Sequence, residues 1–543
     1  MAAGLVFPIL GEAPAVSAPI LGQNPSTADL EAVSKLFGLK FEQSELAAAI
    51  PSVRGFSANY ESMRKMKIDY SVPPATWFVP IGKQPKESKK ISIKASRKGV
   101  LPKSDDELPG LTVLELADLI KSKKLTSERL TRASLDRLKK YGPKLFNVIT
   151  LMESESIAAA KAADAEIKAG KYRGPLHGIP YGIKDLFAAK GHPTTWGAEP
   201  FKNQVLPYDS AVVERLREAG AVLCAKMAVG ALAMDDKWFG GQSRNSWKPT
   251  EGSSGSSAGS ASAVSAALLP FAIGTETLGS IVSPSHRCRV TGLRPTYGRV
   301  SRYGAMALSW TMDKAGPIGR TAEDTLVILA AMCGADSRDP ATVDRPISYT
   351  QNADLKKLKI AYLEGETPLD EEDGNTTNWK QILKEIGVEA VGIKITPPDD
   401  SVTLGLSVEG AAAFDEITRS SEINTIKNSL WPGIFRANRF VSAVEYVQSL
   451  RARTNLMTQF EKELGDFDVI LSSDRGSHLL ITTNCTGHPQ LYIPLGVDTK
   501  GRARGLSLIG RLYGESALVS VAQAIQEKSG FYRQKPDLAT LLG

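Results

Sequence analysis

The sequence predicts an α/β fold, and three observations carry that prediction. Residues 147–151, Asn-Val-Ile-Thr-Leu, read as a strand, and the alanine-rich run 153–169 that follows reads as a helix ended by Gly170. Residues 209–226 repeat the unit as an amphipathic helix, a stop at Gly220 and a buried strand. Residues 251–281 then open as a loop too rich in glycine and serine to be anything else until about Ala258. They continue as a short apolar helix and end in a second loop carrying Ser280. Helix and strand in alternation favour layers of both over a bundle or a sandwich.

Composition narrows the function. The chain has 543 residues, 42% of them hydrophobic and 23% charged, enough for a large core and ordinary for a globular protein. Its 66 basic and 59 acidic residues give a net charge of +7, a surplus that the stretch 83–103 can supply alone, so a nucleic-acid partner is not indicated. Cys224, Cys288, Cys333 and Cys485 lie far apart and suggest buried thiols rather than disulfides or a zinc site. The five histidines show no ligand spacing, so neither metal nor cofactor is expected. No apolar run reaches the roughly 18 residues of a membrane span. The apolar residues 1–23 carry no Lys or Arg and are broken by Pro8, Pro14 and Pro19, so a cytoplasmic location is expected, with a removed leader left open.

Taken in order, residues 26–66 have helical periodicity through Leu30, Val33 and Phe37 and again over 44–50, with a break expected at Pro51 and a further helix over 58–67. Val72-Pro-Pro closes this N-terminal helical extension, residues 1–81. Residues 82–110 carry Lys83, Lys86, Lys89, Lys90, Lys94, Arg97, Lys98 and Lys103 with little apolar payload, which reads as a solvated basic linker. Order resumes at Thr112-Val-Leu-Glu115, a capping box opening a helix. A second helix over 126–141 is expected to stop at Gly142-Pro143. Further on, 325–333 is helical, 358–363 begins a strand, 402–440 is helical on the substrate side and 446–463 is amphipathic. Residues 467–471 form a strand, and two more strands make a hairpin across Asp498-Thr-Lys-Gly-Arg.

Three stretches carry chemistry. In Gly-Ile-Pro-Tyr-Gly-Ile-Lys184-Asp185 a lysine sits in an otherwise apolar strand, where an unpaired ammonium is costly. It is either paired, with Asp185 as a candidate partner, or it is a base with a lowered pKa. The connection 233–247 holds aromatic and methionine residues that either fill the core or line a pocket, and Met234 is the candidate substrate contact. The Gly/Ser loop serves a nucleophile, a phosphate or a flexible link. A phosphate loop would need a Gly-Lys-Ser/Thr, and no lysine lies between Pro249 and Arg287; a linker would not run straight into apolar sequence.

Together Lys184, Gly255-Ser256-Ser257-Ala-Gly-Ser and Leu278-Gly279-Ser280-Ile281, followed by Gly-Leu-Arg-Pro-Thr-Tyr-Gly-Arg-Val-Ser-Arg-Tyr-Gly, resemble the amidase signature family over about residues 111–543. The resemblance implies a central mixed β-sheet flanked on both sides by helices. It also implies a catalytic set of Ser280 as nucleophile, Ser256 as a bridging serine after a cis peptide and Lys184 as base. Only Gly255-Ser256-Ser257-Ala-Gly259-Ser260 fits the family register, 280 − 256 = 24 residues before the nucleophile. Backbone N–H groups of Thr277, Leu278, Gly279 and Ser280 are the implied oxyanion hole. With no histidine in these motifs, a neutral buried lysine would have to take the serine proton.

The family usually has Gly-Gly-Ser-Ile-Arg, whereas Leu278 replaces the first glycine here and Val282 the arginine; family glycines are also replaced at Ala258 and Arg289. A leucine at 278 is expected to narrow the conformations of the oxyanion loop. The resemblance implies an amidase hydrolysing the C–N bond of a linear carboxamide, with esters as further substrates, a small-molecule amide as its substrate, no nucleic acid bound directly, and a homodimer compatible with it. The alternative is the glutaminase A subunit of a tRNA-dependent amidotransferase. For that reading, the N-terminal unit is faintly similar to that enzyme's small helical component. Against it, Ser477 stands where an acid is expected before Asn484, and the basic run expected near residues 436–440 is missing. A non-catalytic binding protein is the third reading.

Overall fold

The computed structural model describes residues 24–66, 91–365, 375–376 and 378–543. The apolar opening segment, the 72–76 turn and the basic run before residue 91 lie outside them. Two helices, α1 (Thr27–Leu36) and α2 (Gln43–Lys65), begin the described chain, and Ser26 and Asp29 cap α1 reciprocally. The break expected at Pro51 does not occur: α2 runs through it. Proline removes one N–H from the ladder, but Pro51 and Ala47, whose carbonyl loses its partner, are both exposed, so water can take that bond.

The expected linker is also part of the fold from residue 91 onward. Ile91–Lys94 forms β1, Arg97 is bonded to Glu323 at 3.2 Å and to Tyr532 at 3.0 Å, and Leu108 is fully buried. The lysine count obscured a few buried anchors.

Next come α3 (Val113–Lys121), opened by the Thr112 and Glu115 capping box, and α4 (Ser127–Leu145). α4 passes through Gly142-Pro143 because Tyr141 and Leu145 are both buried, and it ends at Phe146 in a left-handed conformation (φ 50°). β2 (Val148–Leu151), α5 (Glu153–Lys168), β3 (Pro180–Lys184), α6 (Ala211–Glu218) and β4 (Val222–Met227) follow. Two ribbons pair β5 (Lys237–Trp238) with β6 (Gly241–Gln242) and β7 (Arg244–Asn245) with β8 (Lys248–Gly252). The signature region gives α7 (Ala258–Ser265), β9 (Phe271–Glu276), α8 (Val282–Cys288) and β10 (Thr291–Arg294). β11 (Lys314–Gly319), α9 (Ala322–Met332), β12 (Ile347–Thr350), β13 (Ile360–Leu363), β14 (Asn375–Thr376), α10 (Trp379–Glu385) and β15 (Ala390–Ile393) complete the middle of the chain. The last part holds α11 (Leu404–Ala413), α12 (Asp415–Thr418), α13 (Trp431–Asn438), α14 (Ala443–Leu464), β16 (Val469–Ser473), α15 (Leu479–Thr486), β17 (Gln490–Val497), β18 (Ala503–Gly510), α16 (Glu515–Ser529) and α17 (Leu538–Leu542).

The main sheet runs β15-β13-β16-β18-β17-β10-β11-β9-β3-β4-β2, with β14 beside β17, and it is mixed. β9, β3 and β4 are parallel to one another, while β10, β11 and β9 are antiparallel. Side chains alternate across a strand, so on β9 Phe271 and Ile273 enter one core with Leu326 of α9, and Ala272 enters another with Ala261 and Val264 of α7. Helices therefore cover both faces, and β3 is buried along its whole length. Among the described residues no helix is long and apolar enough to cross a membrane.

The N-terminal unit packs on α13. Leu30, Leu46, Ala49 and Phe56 form a cluster with Leu404 and Ala437, and Arg436 of α13 pairs with Glu45 at 2.7 Å. We expect Leu46→Ala, at a position 1% exposed, to lower the local stability of this unit by about 2–5 kcal/mol. Amide hydrogen exchange should show α2 losing protection while β3 and β9 keep theirs.

Candidate active site

Lys184 ends β3, beside β9 in a parallel pairing that sets Ile183 against Ile273. Its amine is fully buried and donates to Ser256 Oγ at 2.8 Å, to Thr275 Oγ1 at 2.7 Å and to the Thr275 carbonyl at 3.2 Å. Burial pulls the Lys184 pKa down to about 7, against the attraction of Asp313 and Glu276, which favours the charged form. An amine poised this way can hold or release a proton near neutrality, because either hydroxyl can turn and donate to it once it is neutral.

Ser256 lies on the loop before α7, and the Gly255–Ser256 peptide bond is cis. There is no room for a side chain at Gly255: a Cβ would lie 1.8 Å from the Asp235 carbonyl. The loop is stitched down through Asp236, which accepts from Ser254 N–H at 2.9 Å, and through Ser257 N–H, which donates to the Ser280 carbonyl at 3.1 Å. That last bond joins the two serine loops. Ser280 is 8% exposed, and its hydroxyl makes no hydrogen bond among the described residues.

The segment around Ser280 is held from behind by Glu276. One carboxylate oxygen accepts from Ile281 N–H at 2.8 Å and Val282 N–H at 3.0 Å. The other accepts from Arg294 at 2.8 Å and Asn484 at 2.8 Å. Burial works against ionisation, but Arg294, Lys314 and the Val282 N–H hold the Glu276 pKa down to about 2. By contrast, the N–H groups of Thr277, Leu278, Gly279 and Ser280 have no acceptor among the described residues. The left-handed residue in this turn is Gly279 (φ 87°), while Leu278 keeps a negative φ, so leucine adds no backbone strain there.

A cavity of about 640 Å³ opens beside the segment that leads into the Ser280 loop. Thr275 and Thr277 form part of its wall, and Thr277 Oγ1 donates to Asp313 at 2.6 Å. The other Asp313 oxygen takes the N–H groups of Leu308 and Ser309 at 2.8 and 3.0 Å, tying the cavity wall to the loop that carries Ser280. Burial raises the Asp313 pKa.

A family model described as Amidase matches residues 129–477, more than half of the chain. The chain belongs to the amidase family. The relatives to which it is similar include the glutamyl-tRNA(Gln) amidotransferase A chain of Geobacter metallireducens, 32% identical over 491 residues and covering 79% of this chain and 99% of that protein. AmiD of Mycobacterium tuberculosis, named as an amidase, is 31% identical over 80% of this chain and 97% of its own length. Among solved structures, the peptide amidase from Stenotrophomonas maltophilia superposes with a TM-score of 0.68 at 27% identity, covering 77% of this chain and 97% of that one. An amidase family protein from Bacillus anthracis gives 0.70 at 27% identity, over 80% and 93%.

For this member of the amidase family, the sequence left the partner of Lys184 open, and Asp185 is not it. Successive strand residues face opposite ways, so Asp185 points from the other side of β3 to Lys226, at 2.6 Å and fully buried. Met234 is half-buried against the cluster that contains Trp431 and Phe435, while its neighbour Ala233 lines the cavity. Sequence reasoning missed Thr275, Asp313, Glu276 and Arg294. Glu276 and Arg294 did leave a signal, since each is a lone charge ending an apolar strand and the two are of opposite sign.

The lowered Lys184 pKa has a stability consequence. Between about 7 and the unfolded value near 10.5 the unfolded chain holds the extra proton, so this group makes stability rise with pH. Relative to Lys184→Met, the wild type should gain stability with a slope of up to about 1.4 kcal/mol per pH unit across that window. Denaturant melts of both proteins at pH 7, 8 and 9 measure it; parallel curves would show that the amine is not depressed.

Proposed function

We propose that this amidase-family hydrolase cleaves the C–N bond of a carboxamide through an acyl-Ser280 intermediate. The observation that carries the reading is the buried 2.8 Å hydrogen bond between Lys184 and Ser256 on the loop bonded to Ser280. In this reading Ser280 Oγ attacks the carbonyl carbon as its proton passes to Ser256 Oγ, and the Ser256 proton passes to neutral Lys184. The carbonyl oxygen becomes an oxyanion facing the free N–H groups of Thr277 to Ser280; one such donor is typically worth about 10²–10³ in rate. The proton then returns through Ser256 to the amide nitrogen, the C–N bond breaks and the amine leaves. Water, deprotonated by the same relay, attacks the ester carbon and frees Ser280 and the acid.

The glutaminase reading draws on the similarity to the amidotransferase A chain. Two observations weigh against it. Arg436, in the region where a glutamine carboxylate would need basic residues, is engaged by Glu45 and by Asn424 at 2.7 Å each. Ser477 supplies no charge before Asn484, so a free amino acid would find neither counter-ion there.

We expect a fluorophosphonate probe to label the wild type and not Ser280→Ala, and primary amides to be hydrolysed without turnover of glutamine. The labelling rate should climb as pH rises through about 7, where Lys184 loses its proton, and level off above. Lys184→Met should cut it by about 10³-fold or more. A rate flat from pH 6 to 8 would remove Lys184 as the base.

A further inference from the structure

One segment lining the cavity that Thr275 and Thr277 wall is of unusual construction. The segment Ser309-Trp310-Thr311 is fixed along its backbone. The Trp310 carbonyl accepts from Tyr297 Oη at 2.7 Å and from Arg302. Glu409 takes the Ser309 hydroxyl at 2.6 Å, the Thr311 N–H at 3.1 Å and the Thr311 hydroxyl at 2.7 Å. Arg453 donates to the Thr311 carbonyl at 2.9 Å. On this rigid support the indole of Trp310 lines the cavity and remains 50% exposed. A large apolar ring held out to water on a clamped backbone gains stability only when something apolar covers it.

The rest of the cavity wall says what that something is. Arg302 is neutralised by Asp339 at 2.8 Å, and Arg338 by Glu214 and Asp336 at 2.6 and 2.9 Å. Asp313 is engaged by Thr277, Leu308 and Ser309, and Lys314 by Asn484 at 2.8 Å. Arg453 is bonded to Thr311 and Cys485, and the Thr311 hydroxyl donates in turn to Glu409. Arg302 and Arg338 are thus ion-paired, whereas Asp313, Lys314 and Arg453 are held by neutral groups, so the character of the cavity is set by its apolar lining rather than by an unanswered charge of one sign. The rest of the wall includes Leu186, Phe187, Met306, Leu308, Val343 and Met457. At about 640 Å³ it has room for a substituent of drug-like size.

Building on the amide-hydrolase reading above, we infer that the substrates are amides carrying a large aromatic or long aliphatic group, and that Trp310 is the residue that selects for it by covering that group. The cavity adjoins the candidate site through Thr275, which accepts from Lys184, and through Thr277, three residues before Ser280.

The test is a substrate series on the full chain: propionamide, phenylpropionamide and decanamide. kcat/KM should rise at least tenfold from propionamide to the two large apolar amides. Trp310→Ala should lower kcat/KM at least tenfold for phenylpropionamide and decanamide, through KM, while propionamide stays within about twofold. Trp310→Phe should restore most of the loss. Equal loss for small and large amides, or a propionamide as good as decanamide, would overturn the inference while leaving amide hydrolysis intact. If no amide in the series, propionamide included, were turned over in a Ser280-dependent way, the amide-hydrolase reading itself would fall.

Discussion

The rest of the structure depends on one desolvated amine. Lys184 sits where two parallel strands end side by side, sealed on both faces of the sheet, and its hydrogen-bond partners among the described residues are Ser256 and Thr275. In water a primary amine holds its proton far above neutrality; here burial costs the charged form enough to bring the two states into balance. The carboxylates of Asp313 and Glu276 are near enough to temper that cost and are each occupied by other donors. A direct ion pair would have pinned the amine in its charged form. The fully buried Asp185–Lys226 pair, on the opposite side of the same strand, has the direct carboxylate contact that Lys184 lacks.

The Ser280 turn shows a complementary division of labour. Six successive N–H groups run from Thr277 to Val282, and the last two are bound by Glu276. The four before them are left without protein acceptors among the described residues, while the other oxygen of the same carboxylate is taken by Arg294 and Asn484. A left-handed conformation is needed only at Gly279, which is why a leucine fits at 278.

Much of this was legible in the sequence. The alternation of strand and helix, the two Ser/Gly loops and a lysine in an apolar strand are local patterns, and local patterns survive in a single chain. The strand ending at Lys184 and the short helix from Ala258 could be read for that reason. What was hidden depends on distance. Thr275 was unremarkable until β9 came to lie beside β3, and Asp313 until its loop folded across Thr277. The span 91–110 looked solvated because lysine count dominates composition, whereas its place in the fold is set by Leu108, Arg97 and one short strand. The course of α2 through Pro51 was illegible for a related reason: whether a proline breaks a helix depends on what its orphaned carbonyl faces, and that is a tertiary fact.

The Glu276 cluster also bears on how this chain can diverge. Its five members come from positions 276, 281, 282, 294 and 484, so the stretch that contains Ser280 lacks the guanidinium and the amide that complete its electrostatic balance. Grafted alone into a homologous scaffold, it would bring a sealed anion without the guanidinium that answers it, a mismatch worth about 3–5 kcal/mol. Drift at this turn is therefore confined to concerted exchanges between remote parts of the polypeptide, and chimeras cut between residues 282 and 294 would inherit the fold's outline with its anchor divided.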